Sequence, residues 1–354
     1  MQNYLGKKIL VTGHTGFKGT WLSLILKNLG AHVVGVSLEP KSNSLYTQFS
    51  ENLKVESYYL DICEAEKLNS VVKEVNPDGI FHLAAQSLVL DSYQEPIKTF
   101  NTNILGTANL LNAIRDSHKI SFCILATTDK VYRNDNSGKK FVEDDPLGGI
   151  DPYSASKAAS EIVIESMRRS FFQESSIQIV ATRAGNVIGG GDNSMNRLVP
   201  DLIRAFEEKQ TCLIRHPDSI RPWQHVFEPL AGYLMIGSKI LANQKVSTEY
   251  NFGPNTEKQY SVSEIASYAQ KIWPTKTEIQ FLKEDSSNYE ASNLRLDSGR
   301  AERELKWFAN IEALQAIEMT IQWELERIKG NSTTLLDFSN AQINSYFAQL
   351  INSN

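Results

Sequence analysis

Cysteine is almost missing from this chain of 354 residues: Cys63, Cys123 and Cys212 stand far apart, with no C-x-x-C spacing. So sparse and odd a set builds neither a disulfide framework nor a zinc site, and it suits a reducing compartment. Long apolar runs are missing too; none approaches the ~18 residues a membrane helix needs. No such stretch precedes the first strand-like segment, so no secretory signal is expected and the cytoplasm is the expected location. Nor is there a surplus of positive charge. A net charge of −5 argues against a general nucleic-acid binder and leaves room only for a local basic pocket. No His, Cys, Asp or Glu residues cluster at metal-ligand spacing, so no metal is expected. Internal repeats and low-complexity tracts are absent.

What the chain does have is alternation. Lys8-Ile9-Leu10-Val11-Thr12 is a β-branched run ending at a glycine, and Leu22, Ile25, Leu26 and Leu29 follow at helical spacing until Gly30. Segments 32–36, 55–60, 79–83, 122–126 and 177–182 read as further strands, with helices between them that include 99–115 and 153–172. The pattern predicts an α/β fold, a Rossmann doubly wound parallel sheet with right-handed crossovers and helices on both faces.

Between the first strand and helix lies Gly13-His14-Thr15-Gly16-Phe17-Lys18-Gly19. In that context Gly13 permits a tight turn, Gly16 lets the backbone approach a pyrophosphate, and Gly19 lets helix pack closely on sheet. The helix start then offers free N–H groups to phosphate. The alternative is a glycine turn that merely joins strand to helix. Glu39 lies near the place of the acidic residue that binds an adenosine ribose, although Ser37 holds the strand end. No arginine follows directly to hold a 2′-phosphate, though Lys41 is close, and on balance this favours NAD over NADP. Asp61-Ile62 suits the adenine edge, or Asp61 serves as a helix N-cap.

The expected division is a NAD-binding domain over 1–185, rejoined by about 226–252, where a helix (230–241) and a strand (249–252) are predicted. Residues 186–330, with clustered glycines, prolines and polar residues, form mainly a smaller C-terminal α/β lobe that closes over the cofactor and binds substrate. In the tail, 331–354, Ile343, Phe347, Leu350 and Ile351 predict an amphipathic helix. It should pack on the body or on a second subunit, because from 334 onward it has no Lys or Arg to meet a membrane.

The chemistry should centre on Tyr153-Ser154-Ala155-Ser156-Lys157. With Asp151 as cap and Pro152 in the first turn, Tyr153 and Lys157 share a helix face at i, i+4. A phenol has a pKa near ~10, and a nearby ammonium favours the phenolate. Tyr153 can then take a hydroxyl proton while hydride leaves the same carbon. Thr128-Asp129-Lys130 follows a buried strand and should sit at its carboxyl end, where ligands bind in open sheets. Thr128 can share a hydrogen bond with Tyr153, and Asp129 and Lys130 offer an acid and an amine beside it.

These motifs, with Phe81-His82-Leu83-Ala84-Ala85-Gln86, Arg183-Ala184-Gly185-Asn186-Val187-Ile188-Gly189-Gly190-Gly191-Asp192 and Ile220-Arg221-Pro222-Trp223-Gln224-His225-Val226, resemble the nucleotide-sugar 4,6-dehydratases of the extended short-chain dehydrogenase/reductase family. The resemblance runs from about 8 to 307. Relatives acting on dTDP-glucose carry Thr-Asp-Glu at the catalytic turn; Lys130 here is similar to the group acting on CDP-glucose. The resemblance implies an internal redox cycle through bound NAD. Tyr153 takes the 4-hydroxyl proton, Lys130 the C5 proton, and Asp129 protonates the departing 6-hydroxyl. As a base Lys130 must be neutral, which burial or Lys157 would favour.

The resemblance further implies cofactor contacts from Ala84, Ala85 and Gln86, and substrate contacts from Gln86, Ser87 and Asn186. Arg197 and Arg221 can meet two phosphates through guanidinium forks, or be surface ion pairs. Trp223 and Tyr289 are candidates for packing or for base stacking. His14 is distinctive of the resembled group, with a structural role as the alternative; His82 reads as a strand residue. A homodimer joined through helices 99–115 and 153–172 is implied. A 4-epimerase would need no acid–base pair at C5 and C6, and a non-catalytic dinucleotide sensor would not need Tyr153 and Lys157.

Overall fold

The computed structural model describes residues 2–135, 137–254, 258–282 and 294–352. The first half runs β1 (Lys8–Thr12), α1 (Phe17–Asn28), β2 (His32–Ser37), α2 (Leu45–Leu53), β3 (Glu56–Tyr59), α3 (Ala65–Val75), β4 (Gly79–His82), α4 (Val89–Gln94), α5 (Pro96–Phe100), a π turn (Asn101–Leu105), α6 (Gly106–Ile114), β5 (Phe122–Ala126), β6 (Lys140–Phe141), α7 (Pro152–Phe171) and β7 (Gln178–Ala184). The rest is β8 (Val187–Ile188), α8 (Leu198–Glu208), β9 (Cys212–Arg215), β10 (Gln224–His225), α9 (Phe227–Leu241), β11 (Glu249–Phe252), α10 (Val262–Ile272), β12 (Ile279–Leu282), β13 (Arg295–Leu296), α11 (Gly299–Leu305), α12 (Ala313–Ile328) and α13 (Ser332–Asn352).

Seven strands form one sheet in the order β11-β7-β5-β4-β1-β2-β3. Every pairing in it is parallel, the doubly wound architecture predicted above. The β-branched and aromatic runs of the inner strands are buried on both faces, as parallel strands under helices must be, while the edge strand β3 is partly exposed. Leu68, Val72, Leu110, Leu111 and Ile164, from α3, α6 and α7, cover one face. Trp21, Leu22, Phe227, Leu230 and Leu234, from α1 and α9, cover the other. The chain leaves β1 toward β2 and β3, then returns to place β4 on the opposite side of β1. The carboxyl ends of β1 and β4 therefore flank a crevice that no crossover fills.

Three short parallel pairs, β8 with β10, β9 with β12 and β6 with β13, lie outside this sheet. β11 pairs with β7, Asn251 opposite Arg183, so the chain beyond 186 returns to the main sheet. The helix predicted over 99–115 is divided. α5, the π turn and α6 are distinct segments, because the wider turn swings Asn103 inward. There it accepts Gln86 N–H (2.8 Å) and donates to Gln86 C=O (3.0 Å) and Ser156 Oγ (2.8 Å). A π turn inserts one residue into the helical phase, which no hydrophobic period announces.

The C-terminal helix α13 lies against α12 and α2. Its inward seam is Leu335, Ser339, Ile343, Tyr346 and Leu350, while Phe347 is half-buried and the Ile351 side chain is outside the described residues. Trp323 Nε1 donates to Ser339 Oγ at 2.8 Å. Tyr346 OH donates to Glu228 Oε2 at 3.2 Å, and Glu228 Oε1 accepts the N–H groups of Asn310 (2.9 Å) and Ile311 (2.7 Å). No helix is long and apolar enough to cross a membrane among the described residues.

Burial lifts the Glu228 carboxyl from 4.5 to about 7, against the pull of those donors. The folded protein thus holds this proton more tightly than the unfolded chain does. The resulting stabilisation is full below about 4.5 and is lost as pH rises through about 7. Glu228→Gln should remove this part of the fall in melting temperature between pH 4.5 and 7, measured by thermal unfolding in a series of buffers.

Candidate active site

The turn between β1 and α1 is built by close backbone contact. Gly13 sits at φ +75°, and a Cβ there would lie 2.7 Å from Ala84 N. A Cβ on Gly19 would run into the Gly13 carbonyl oxygen. Gly16 N–H donates to that oxygen at 3.0 Å. Gly16 is also the N-cap of α1 and offers no side-chain cap, so the first N–H groups of the helix remain for a ligand. Thr15 Oγ1 bonds Ser37 Oγ (2.7 Å) and donates to Leu38 C=O (3.1 Å), tying the loop to the end of β2.

A cavity of about 880 Å³ opens over this loop at the carboxyl edge of the sheet. Every residue expected above at cofactor, sugar or phosphate lines it, except His14, Asp129 and Tyr289. Tyr289 lies outside the described residues. A space bounded by bare backbone, a helix start and Glu39, Asp61 and Ile62 at its far end fits a dinucleotide.

His14 corrects an expectation. Its ring is buried beneath the loop, where Nε2 bonds Ser57 Oγ at 2.9 Å and the ring meets Tyr46 edge-on at 5.1 Å. It fills the space that a side chain at position 35 would need, which is why Gly35 is bare. Burial pushes His14 down to about 4, so the ring is neutral and structural. Asp61 lines the cavity, but it is not the cap of α3. Glu64 holds the N-cap position, while Asp61 Oδ1 accepts Cys63 N–H at 2.9 Å.

Gln86 lines the cavity, yet its amide is engaged within its own loop. It donates to Leu88 C=O (3.0 Å) and Thr99 Oγ1 (2.9 Å) and accepts Leu88 N–H (2.5 Å). Arg197 lines the cavity while paired with Asp192 at 3.0 Å, and its other nitrogen reaches Ser87 Oγ at 3.5 Å. Asn186 and Arg221 also line it. Trp223 is both buried and on the cavity wall.

The capped start of α7 positions the catalytic candidates. Asp151 Oδ1 accepts Ser154 N–H at 2.9 Å, and Pro152 occupies the first turn. Tyr153 and Lys157 are both buried on the cavity side. Lys157 Nζ donates to Ala126 C=O at 3.1 Å. The expected lowering of Tyr153 does not hold in the protein alone. Burial raises the phenol, and the opposing influences are Lys130, a hydrogen bond with Thr128 and Arg197 rather than Lys157. Lys157 is itself pushed down to about 8 by burial, against Glu161. Lys18 is likewise pushed down to about 8, by burial and by the charges of Arg197 and Lys157.

Asp129 stands just behind the wall, 1% exposed. Its Oδ1 accepts from Thr128 Oγ1 (2.9 Å) and faces Lys130 Nζ (3.4 Å), and its Oδ2 is buried without a partner under Gly185. It therefore reaches the cavity through Thr128 and Lys130 rather than directly. Sequence reasoning missed Asn103, which carries no motif, and the buried Glu161, which looked like one more helix position. Arg183 and Asp192 lie inside the 183–192 motif, which assigns them no role. No group of residues suited to a metal ion occurs among the described residues.

A methyl group on Gly19 must force the loop apart. Gly19→Ala should weaken dinucleotide binding by tenfold or more, about 1.4 kcal/mol or greater. Fluorescence titration of the purified variant measures this.

The family model described as GDP-mannose 4,6 dehydratase matches residues 10–320. A CDP-glucose 4,6-dehydratase of Salmonella typhimurium (strain LT2) is 38% identical over 350 residues, covering 97% of each chain. A dTDP-glucose 4,6-dehydratase of Haemophilus influenzae is 27% identical, over 90% of this chain and 97% of that one. Among solved structures, a dTDP-glucose 4,6-dehydratase from Bacillus anthracis in complex with NAD is alike in fold. Its TM-score is 0.74 at 21% identity, over 90% of this chain and 97% of that one. A family model spanning most of the chain and a relative 38% identical over 97% of each chain point to one group, and the chain belongs to the GDP-mannose 4,6 dehydratase family of nucleotide-sugar dehydratases.

Proposed function

We propose that the chain dehydrates CDP-glucose to CDP-4-keto-6-deoxyglucose with a resident NAD, as a cytoplasmic step in making deoxysugars for surface polysaccharide such as lipopolysaccharide. The observation that carries this reading is the meeting of Tyr153, Thr128 and Lys130 in one cavity with the glycine cradle, with Asp129 directly behind Lys130. The full-length likeness to a CDP-glucose 4,6-dehydratase supports the choice of nucleotide. Residues 1–185 with 226–252 serve the cofactor, and 186–330 mainly the substrate. NAD fits better than NADP, since Glu39 lines the far end of the cavity and would repel a 2′-phosphate.

Tyr153 removes the proton of the sugar 4-hydroxyl, with Thr128 sharing the hydrogen bond, Lys130 and Arg197 supplying the charge that opposes burial of the phenol, and Lys157 one turn away along α7. NAD, which the Gly13–Gly19 loop with Glu39, Asp61 and Ile62 would hold, would supply a hydride acceptor for C4 and a hydride donor for C6. The 4-ketone acidifies the C5 proton, which the Lys130 amine takes. The Asp129 carboxyl gives its proton to the departing 6-hydroxyl, by way of Thr128 or Lys130, and water leaves. As hydride adds at C6, Lys130 returns the proton to C5, and the proton that Tyr153 took from the 4-hydroxyl passes through Thr128 to Asp129, which restores the set. A 4-epimerase has no use for such a pair. Asn186, Arg197, Arg221 and Trp223 hold the nucleotide diphosphate, with Lys18 adding positive charge.

Exposed apolar side chains point to a homodimer. Ile97 on α5, Leu105 in the π turn and Ile162 on α7 are 69%, 54% and 62% exposed, on segments packed side by side. Such residues pair readily with a second copy through a helical face.

Purified protein incubated separately with CDP-, dTDP-, UDP- and GDP-hexoses should lose water, read by mass, from CDP-glucose alone. Lys130→Ala should oxidise C4 slowly and release no water. Turnover of dTDP-glucose but not CDP-glucose would overturn the substrate, and normal turnover by Lys130→Ala would remove that residue from the mechanism. In sedimentation runs, Ile162→Lys should shift the protein from dimer to monomer.

A further inference from the structure

Glu161 lies on α7 one turn beyond Lys157 and two beyond Tyr153, and it is only 4% exposed. Its carboxylate is fully engaged. Oε1 accepts Thr127 Oγ1 at 2.6 Å and Arg183 Nε at 2.8 Å; Oε2 accepts Arg183 Nε at 2.9 Å and also its Nη2. Arg183 is as deeply buried. Its Nη1 donates to Tyr132 OH (2.7 Å) and Glu143 C=O (2.8 Å), and its guanidinium lies over the Tyr132 ring. A buried pair this costly to desolvate is weak evidence of stabilisation by itself. Its position is more informative. Thr127 stands between Ala126, whose carbonyl receives Lys157 Nζ, and Thr128, whose hydroxyl meets Asp129.

We infer that Glu161 is a positioning residue: paired with Arg183 and gripping Thr127, it holds the 126–128 turn in register with Lys157 and Tyr153 and sets its carboxylate one helical turn from the Lys157 amine. The inference rests on the roles proposed above for Tyr153, Lys157 and Thr128. The carboxylate is the negative charge that acts on Lys157, opposing the burial that pushes the amine down. The other groups around Lys157 supply no such charge at close range. Tyr153 on the same helix is a raised, neutral phenol, and His82 on β4 is pushed down to about 3 and neutral. Lys18 on α1 is basic, Asp129 after β5 faces Lys130, and Arg183 on β7 is itself a cation.

The test separates this role from mere structural support, and from the choice of substrate. Lys157 lines the cavity, so acetic anhydride can reach it. The pH dependence of its acetylation, read by peptide mass, reports its ionisation without any sugar present. In Glu161→Gln with a wild-type circular dichroism spectrum, the midpoint should fall by about one unit, because loss of a neighbouring negative charge disfavours the ammonium. An unchanged midpoint would sink the proposal. Should that variant fail to fold around the unpaired Arg183, Glu161→Gln combined with Arg183→Gln replaces the ion pair by two amides, and since it removes a positive charge with the negative one, its readout is kcat, expected to fall as the 126–128 turn loses its hold; a wild-type kcat would sink the proposal. Thr127→Val keeps the charge and removes only the grip. It should lower kcat by about 10- to 100-fold, with KM and the Lys157 midpoint unchanged, and a wild-type kcat would overturn the positioning of the turn. Absence of activity on CDP-glucose in the wild-type protein would bear on the substrate and leave the acetylation result standing.

Discussion

The backbone of the β1–α1 turn comes so close to itself and to β4 that side chains are excluded at two points. A methyl on Gly13 would press on Ala84, and one on Gly19 on the Gly13 carbonyl. This crowding brings the start of α1 over the sheet edge beside the crevice between β1 and β4. The loop side of the cavity takes its shape from that contact, while the capped start of α7 places Tyr153 and Lys157 across from it. His14 supports the turn from below, and its ring in turn keeps position 35 a glycine. Thr15 ties it sideways to Ser37.

A second constraint is charge kept out of water. Lys157, Asp129, Glu161 and Arg183 are all buried within a few residues of the cavity wall. Such charges persist only where each finds a partner. The pairs Glu161–Arg183 and Asp129–Lys130 meet that demand in different ways. The first is bidentate and closed, and it serves as scaffold. The second is looser, with one Asp129 oxygen unpartnered, and a loose pair can exchange a proton.

Much of this was legible along the chain. The alternation of β-branched runs and helical stripes comes directly from parallel strands buried under helices, so the sheet was readable element by element. The glycine loop and Tyr153–Lys157 were readable because each is local: three glycines in one turn, two side chains one helical turn apart. The inner seam of α13 was partly readable. Ile343 and Leu350 follow the helical period, whereas Ser339 and Tyr346 belong to it through hydrogen bonds to Trp323 and Glu228. The direction of the His14 ring was not legible, since a residue inside a loop can turn to either side. Asn103 escaped because a π turn breaks the periodicity by which helical faces are recognised.

By itself, then, the sequence determined the α/β class, the glycine turn between β1 and α1 and the order of the candidate catalytic side chains on their elements. Those features depend on spacing within a few residues, where backbone geometry leaves little choice. Only the tertiary structure decided that Glu161 meets Arg183 and Thr127, that Asp129 stands behind Lys130 and not on the cavity wall, and that burial, more than any neighbour, governs Tyr153 and Lys157. Such pairings join residues tens of positions apart, and their energies depend on how completely water is shut out, which no local pattern records.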